Sequence, residues 1–92
     1  MLPVRAKAHL DLRRGAAQVV ERRLYAASPA AGVSLAEMRP PRGLIVGAVV
    51  RNGKVFVPHG SDRLEVGDLV ILFVREEELT TVQLLFPGRA PR

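Results

Sequence analysis

Apolar positions cluster in three runs in the second half of the chain, each bounded by turn chemistry. Residues 44–50 read Leu-Ile-Val-Gly-Ala-Val-Val, residues 55–57 Val-Phe-Val and residues 69–74 Leu-Val-Ile-Leu-Phe-Val. β-Branched and aromatic side chains fit a pleated surface, so all three runs predict strands. Asn52-Gly53 separates the first two, and both residues tolerate the positive φ of a type I′ hairpin turn. Pro58 has no N–H for a ladder and ends the second strand. Gly67-Asp68 supplies a second turn before the third. The first and third runs are apolar at nearly every position, whereas a strand with one face in water alternates. Both faces of the sheet are therefore expected to be covered, one by helix and the other by a second copy of the chain.

Upstream, residues 18–27 predict a strand, with Val20, Leu24 and Ala26 on one side and Arg22 interrupting that side. Ser28-Pro29 ends it. Residues 34–38 predict a short helix, because Ser34 and Glu37 have capping-box spacing and Leu35 and Met38 share a face. Pro40-Pro41 stops it. Residues 75–86 predict a second helix. Glu76, Glu77 and Glu78 fall in its first turn, where the helix dipole favours negative charge, and Leu79, Val82, Leu85 and Phe86 form its apolar stripe. Together these elements predict an α+β domain: a small mixed or antiparallel sheet with a short crossover helix and a C-terminal helix.

The 92-residue length allows one domain, burying only roughly 60–65% of its unfolded surface, so oligomerisation is a common supplement. Hydrophobic and charged fractions of 48% and 25% are those of a globular chain. The absence of cysteine excludes a disulfide framework and thiolate chemistry. The longest apolar run, seven residues from 44 to 50, is far below the roughly 20 needed to cross a bilayer. The N-terminus lacks a signal peptide's apolar core, so the expected location is cytoplasmic.

Charge divides the chain. Residues 1–23 carry six basic and two acidic side chains, a net of +4, and the remainder carries eight and seven, a net of +1. Residues 1–17 are thus set apart as a basic, partly disordered segment dispensable for folding, residues 18–88 as the domain, and residues 89–92 as a tail. Within the first segment Val4, Ala6, Ala8, Leu10 and Leu12 alternate with polar residues, which would suit an edge strand, but Pro3 and Gly15 bracket it closely. A nucleic-acid-binding arm is the rival reading of this segment, weakened by the lack of aromatic residues for base stacking. A salt series separates the two, since phosphate binding weakens steeply with ionic strength.

No catalytic constellation assembles from the sequence, and an enzyme is not expected. Ser28, Ser34 and Ser61 occupy turn or cap contexts, and His9 and His59 lack ligand partners at metal-site spacing. Asp62, Glu65 and Asp68 read as turn-capping residues in preference to a cation site. Arg51, where an apolar strand meets a hairpin, is either a solvated turn residue or a guanidinium fork for phosphate. At an exposed turn, its loss should affect stability little. His59, beside Pro58, could add a donor.

The ordered set Arg51-Asn52-Gly53, Val57-Pro58-His59-Gly60 and Leu64-Glu65-Val66-Gly67-Asp68-Leu69-Val70-Ile71, closed by Leu85-Phe86, resembles the TrkA C-terminal domain, also called the RCK C-terminal domain. The likeness spans residues 19–86. No Gly-x-Gly-x-x-Gly follows a strand, so the nucleotide-binding half that normally precedes this domain is missing from the chain. The resemblance implies a regulatory, ligand-sensing or dimerising module associated with cation transport, chiefly of potassium, on the cytoplasmic side of a membrane channel or transporter subunit. It also implies a homodimer with a small phosphate-bearing ligand, such as cyclic di-AMP or another nucleotide, in a cleft between two copies. Ile45 and Val46 would then form the apolar floor, with Arg51 and His59 as candidate anion contacts at the sheet ends. No metal is expected.

Overall fold

The computed structural model describes residues 8–11 and 16–88. Five strands form one sheet: β1 (Ala8–Asp11), β2 (Ala16–Arg23), β3 (Leu44–Arg51), β4 (Lys54–Phe56) and β5 (Leu69–Arg75). Their spatial order is β1-β2-β5-β3-β4, and every neighbouring pair is antiparallel. A short helix α1 (Leu35–Met38) lies between β2 and β3, and α2 (Leu79–Leu85) follows β5. The α+β class is the one expected, with the antiparallel of the two sheet types.

Paired residues across neighbouring strands point to the same side, so the register defines two faces. Val20, Leu72 and Val46 make one row, and Gln18, Val74 and Leu44 the next. Those side chains meet Leu24, Ala30, Leu64, Val82 and Phe86, all buried, to form the core. On the other face the rows are Val19, Phe73 and Ile45; Glu21, Ile71 and Ala48; and Arg23, Leu69, Val50 and Val55. No described element covers that second face, and Ile45 is 59% exposed, Phe73 44%. The apolar runs predicted two covered faces, and the described residues cover one.

Local chemistry explains most boundaries. Asn52 and Gly53 have φ of 53° and 76°, the double positive φ of a type I′ turn. Ser34 caps α1 reciprocally: its Oγ accepts from the Glu37 N–H at 3.1 Å while Glu37 Oε1 accepts from the Ser34 N–H at 3.1 Å. β2 stops at Arg23, short of the expected residue 27, because Leu24 turns inward. Its N–H donates to the Asp68 carbonyl at 2.8 Å and its own carbonyl accepts from Gly67 at 2.8 Å. The predicted 75–86 helix begins instead as a 3₁₀ turn, Glu76–Glu78, before α2. Arg75 precedes that turn without a side-chain cap, and a tight 3₁₀ turn is a common way to start a helix. The stripe still packs as predicted, with Val82 and Phe86 buried and Leu79 and Leu85 against the core.

β1 pairs with β2 from Ala8–Val19 to Asp11–Ala16. The basic segment thus contributes an edge strand, and β2 begins two residues inside it. The rest of that segment, residues 1–7 and 12–15, and the tail 89–92 lie outside the described residues.

β3 carries a bulge at Gly47, where the register to β5 shifts between Val46 and Ala48. A Cβ built on Gly47 collides with the Phe73 ring, so the ring lies flat over the bulge because no side chain stands there. Gly47→Ala is expected to cost about 1 kcal/mol, the low end of overpacking, because the atoms met are the far end of the exposed Phe73 ring, which can swing toward solvent. Urea unfolding of a double-mutant cycle checks it: the cost should shrink in a Phe73→Ala background, and an unchanged cost would place the strain elsewhere.

Candidate functional site

The most constrained polar group is the Asp68 carboxylate, only 1% exposed at the turn that feeds β5. Arg51, the last residue of β3, grips it with a two-pronged fork. Nε donates to Oδ1 and Nη2 to Oδ2, both at 2.8 Å. Oδ2 also accepts the Glu65 N–H at 2.8 Å. The guanidinium donates to the Arg63 carbonyl at 3.0 Å, pairs with Glu65 Oε2 at 3.3 Å, and lies 5.0 Å from the Phe56 ring centroid. Burial alone would push the Asp68 carboxyl up, but the Arg51 hydrogen bonds, the Glu65 N–H and the Arg51 charge together hold it below its ordinary value. The Arg51 guanidinium is correspondingly raised by its hydrogen bonds to Asp68, against the opposing effect of burial.

Arg51 is therefore not a solvated turn residue. Its side chain is 27% exposed, and its fork is already spent on a carboxylate, so the expectation that its loss would hardly affect stability is corrected. Asp68 and Glu65 act within this lock as turn-organising groups. Among the described residues no cluster of three or more His, Asp or Glu side chains could hold a metal ion.

The other predicted site residues separate. Ile45 projects from the open face, while Val46, next in sequence, points the opposite way into the core at 7% exposure. His59 lies in the exposed loop after β4, its N–H donating to Asp62 Oδ2 at 2.7 Å. Arg51 belongs to the turn end of the β3–β4 hairpin and Ile45 to the opposite end of β3, while His59 lies three residues beyond Phe56, where β4 has already run back from that turn. Six residues of strand, about 20 Å, separate Ile45 from Arg51, so one chain does not gather these four side chains into one site.

What the structure does gather at the Ile45 end is a cleft of about 200 Å³. Ile45, Phe73 and Ala17 floor it, and Arg42, Gly43 and Arg75 stand along it. The Arg75 N–H donates to the Gly43 carbonyl at 2.8 Å, which fixes the start of β3 against the end of β5. A Cβ at Gly43 would fall 2.8 Å from Glu78 Cγ, so a glycine keeps that approach open. Sequence reasoning missed Arg42 and Arg75. Each stands at the end of an apolar run, but only the antiparallel β3–β5 pairing shows that those ends meet. A second hollow, about 260 Å³, opens between β2 and α2 beside Gln18, Arg22, Thr80 and Gln83. Gln18 Oε1 and Arg22 Nε are buried nearby with no hydrogen-bond partner.

A helically covered antiparallel sheet with a bare apolar second face has the build of a binding or pairing module. Comparison with known proteins agrees in class and supplies the family. The TrkA-C domain profile matches residues 19–86, and the chain belongs to that family. The Trk system potassium uptake protein TrkA of Azorhizobium caulinodans is 35% identical over 76 residues, covering 83% of this chain and 17% of the relative. The TrkA of Halomonas elongata is 37% identical over 80 residues, covering 83% and 18%. The chain thus spans less than a fifth of the length of these relatives. A solved structure described as an RCK domain with cda superposes with a TM-score of 0.57 at 24% identity, over 74% of this chain and 96% of that one. That likeness supports the fold.

Loss of Arg51 should leave Asp68 buried and uncompensated. Arg51→Ala is expected to cost near the lower end of about 3–5 kcal/mol, since the guanidinium keeps some solvent contact. The pH dependence carries a sign. Asp68 is held below its unfolded pKa of about 3.9, so its contribution is complete above that value and is lost as pH falls through the lower folded value. Urea unfolding at pH 7 and at about pH 3 should therefore show the cost of Arg51→Ala shrinking in acid. An equal cost at both values would mean that Asp68 is not the partner that matters.

Proposed function

We propose that the chain is a ligand-sensing and dimerising domain of a regulator of cation transport, chiefly of potassium, acting at the cytoplasmic side of a membrane channel or transporter subunit. The carrying observation is the open apolar face of the sheet, considered with membership of the TrkA-C family. The relatives are potassium uptake proteins by name, and no helix among the described residues is long and apolar enough to cross a membrane. The role is regulatory, in keeping with relatives named as potassium uptake proteins.

In this reading two copies pair through their open faces. Ile45, Phe73, Ile71, Val50 and Val55 give an apolar centre, with Glu21, Arg23 and Arg75 among them and at the margin, which suits interfaces with a dry core and a polar rim. A small phosphate-bearing ligand, cyclic di-AMP or another nucleotide, sits in the cleft between the copies. Ile45 touches it, Val46 backs that contact from the core, and Arg51 at the hairpin end and His59 in the loop after β4 supply its anion contacts. Because one chain holds Ile45 and Arg51 at opposite ends of β3, this requires a two-fold arrangement that sets the Ile45 end of one β3 near the hairpin end of the other. Arg51 follows open-face Val50 and points to the covered side with its fork on Asp68, so it contributes only through the guanidinium edge that faces exposed Glu65 at the end of the sheet.

Light scattering at micromolar concentration should give a dimer mass, and a clean 10 kDa monomer would defeat the pairing. Calorimetric titration with cyclic di-AMP, ATP and NADH tests the ligand. His59→Ala should weaken the productive titration by about 1.5–3 kcal/mol if it donates to a charged group, with folding intact because the side chain is exposed. No heat with any of the three would leave a structural pairing role alone.

A further inference from the structure

The hollow between β2 and α2 lies on the covered side of the sheet, away from the open face. Gln18, Val20 and Arg22 pair with Val74, Leu72 and Val70, which are all buried in the core, so these three side chains point to that side. Leu79, Thr80 and Gln83 of α2 form the other wall of a space of about 260 Å³. Four of the six lining side chains are polar, and none is acidic.

Two of those polar groups lack what burial demands. Gln18 is 7% exposed, and its Oε1 is buried with no hydrogen-bond partner among the described residues. A buried carbonyl oxygen left unpaired destabilises the fold that holds it. Arg22 Nε is buried and equally without a partner. Among the described residues the guanidinium makes one hydrogen bond, from Nη1 to the Glu21 carbonyl at 3.2 Å, and no ion pair. Arg51 shows the contrast: it also points to the covered side, and there a buried carboxylate meets it.

A half-buried guanidinium calls for an anion, and an unpaired amide oxygen calls for a donor. The two groups stand four residues apart on β2, with Val20 between them and Leu79 on the facing wall. Four residues of strand span about 13 Å. Both side chains line the same hollow, so the gap left between their polar ends is that of a short chain, not of a nucleotide. The last torsion of a glutamine side chain is broad, which lets the amide turn its oxygen toward a donor that enters.

We propose that this hollow binds a short carboxylate with a neutral hydrogen-bond donor at its far end, a small hydroxy acid being the simplest. Arg22 takes the carboxylate, to which a guanidinium presents parallel N–H donors. Gln18 Oε1 accepts from the hydroxyl. Val20 and Leu79 pack on the alkyl middle, and exposed Thr80 and Gln83 form the rim. A neutral donor fits better than an ammonium, because desolvating a second cation beside Arg22 costs more. The proposal goes beyond the pairing reading and uses no residue of the open face, so the hollow stays accessible when two copies pair through that face.

The test follows ¹H–¹⁵N NMR of the full chain with 4-hydroxybutyrate as probe. Expected are saturating shifts at the Gln18, Val20, Arg22, Leu79, Thr80 and Gln83 amides, with Ile45, Asn52, Gly53 and Phe73 unmoved. Arg22→Met should weaken the probe at least about tenfold, the loss of a charged hydrogen bond, and Gln18→Leu about fivefold, the loss of a neutral one. Gln18→Leu replaces an unpaired buried amide with an apolar group of similar size, so its melting temperature should hold or rise, which separates lost binding from a lost fold. Butyrate, lacking the hydroxyl, should bind the wild type and Gln18→Leu alike, and 1,4-butanediol, lacking the carboxylate, should leave the spectrum unchanged. No saturable shift up to tens of millimolar probe would overturn the proposal. So would equal shifts with 1,4-butanediol, or shifts that survive both substitutions. Shifts confined to the open face would overturn it too, while leaving the pairing reading untouched.

Discussion

The described residues cover only one face of the sheet, and the rest of the structure follows from that limit. Loop and helix side chains, Leu24, Ala30, Leu64, Val82 and Phe86, are all placed on one side, where they close over Val46, Val70, Leu72 and Val74. The other side keeps Ile45, Phe73 and Val55 in contact with water. Burying that second face within the chain would need another layer of secondary structure, and the described residues hold none. A small domain gains stability by removing such surface from water through association.

The Arg51–Asp68 lock organises the hairpin end of the sheet. It joins the end of β3 to the turn before β5 and, through the Glu65 N–H, fixes the loop that delivers Leu64 to the core. A buried pair does not by itself add much net stability, because desolvating both charges offsets their attraction. Its effect is on specificity: with Asp68 buried, only one placement of this turn leaves the carboxylate paired. The opposite end of the sheet has no such lock. There Arg42 and Arg75 remain at the surface, Arg75 paired with exposed Glu77.

Local signals were legible in the sequence where one stretch contains its own cause. Asn52-Gly53 reports its turn because both residues accept positive φ, and Ser34-x-x-Glu37 reports its helix start because both halves of the cap are three residues apart. The runs at 44–50 and 69–74 were legible as strands, and their lack of alternation was legible as a sheet with two apolar faces. Legibility ended where the cause lies across the fold. Arg51 and Asp68 are seventeen positions apart, and nothing nearby tells a carboxylate-bound fork from a phosphate-binding one. The family resemblance set Ile45 and Val46 as a joint floor, yet successive strand residues face opposite ways. The cleft between Arg42 and Arg75 depends on antiparallel pairing of two strand ends, which no local pattern encodes.

The central claim is that the open face is where this domain meets its partners. Hydroxyl-radical footprinting of side chains across a dilution series tests it most directly. On raising the concentration from nanomolar to micromolar, Ile45, Val55 and Phe73 should become protected together, while Val66 and Leu84, exposed away from that face, should not change. Protection that stays constant at Ile45 and Phe73, or that appears at Leu84 instead, would contradict the account.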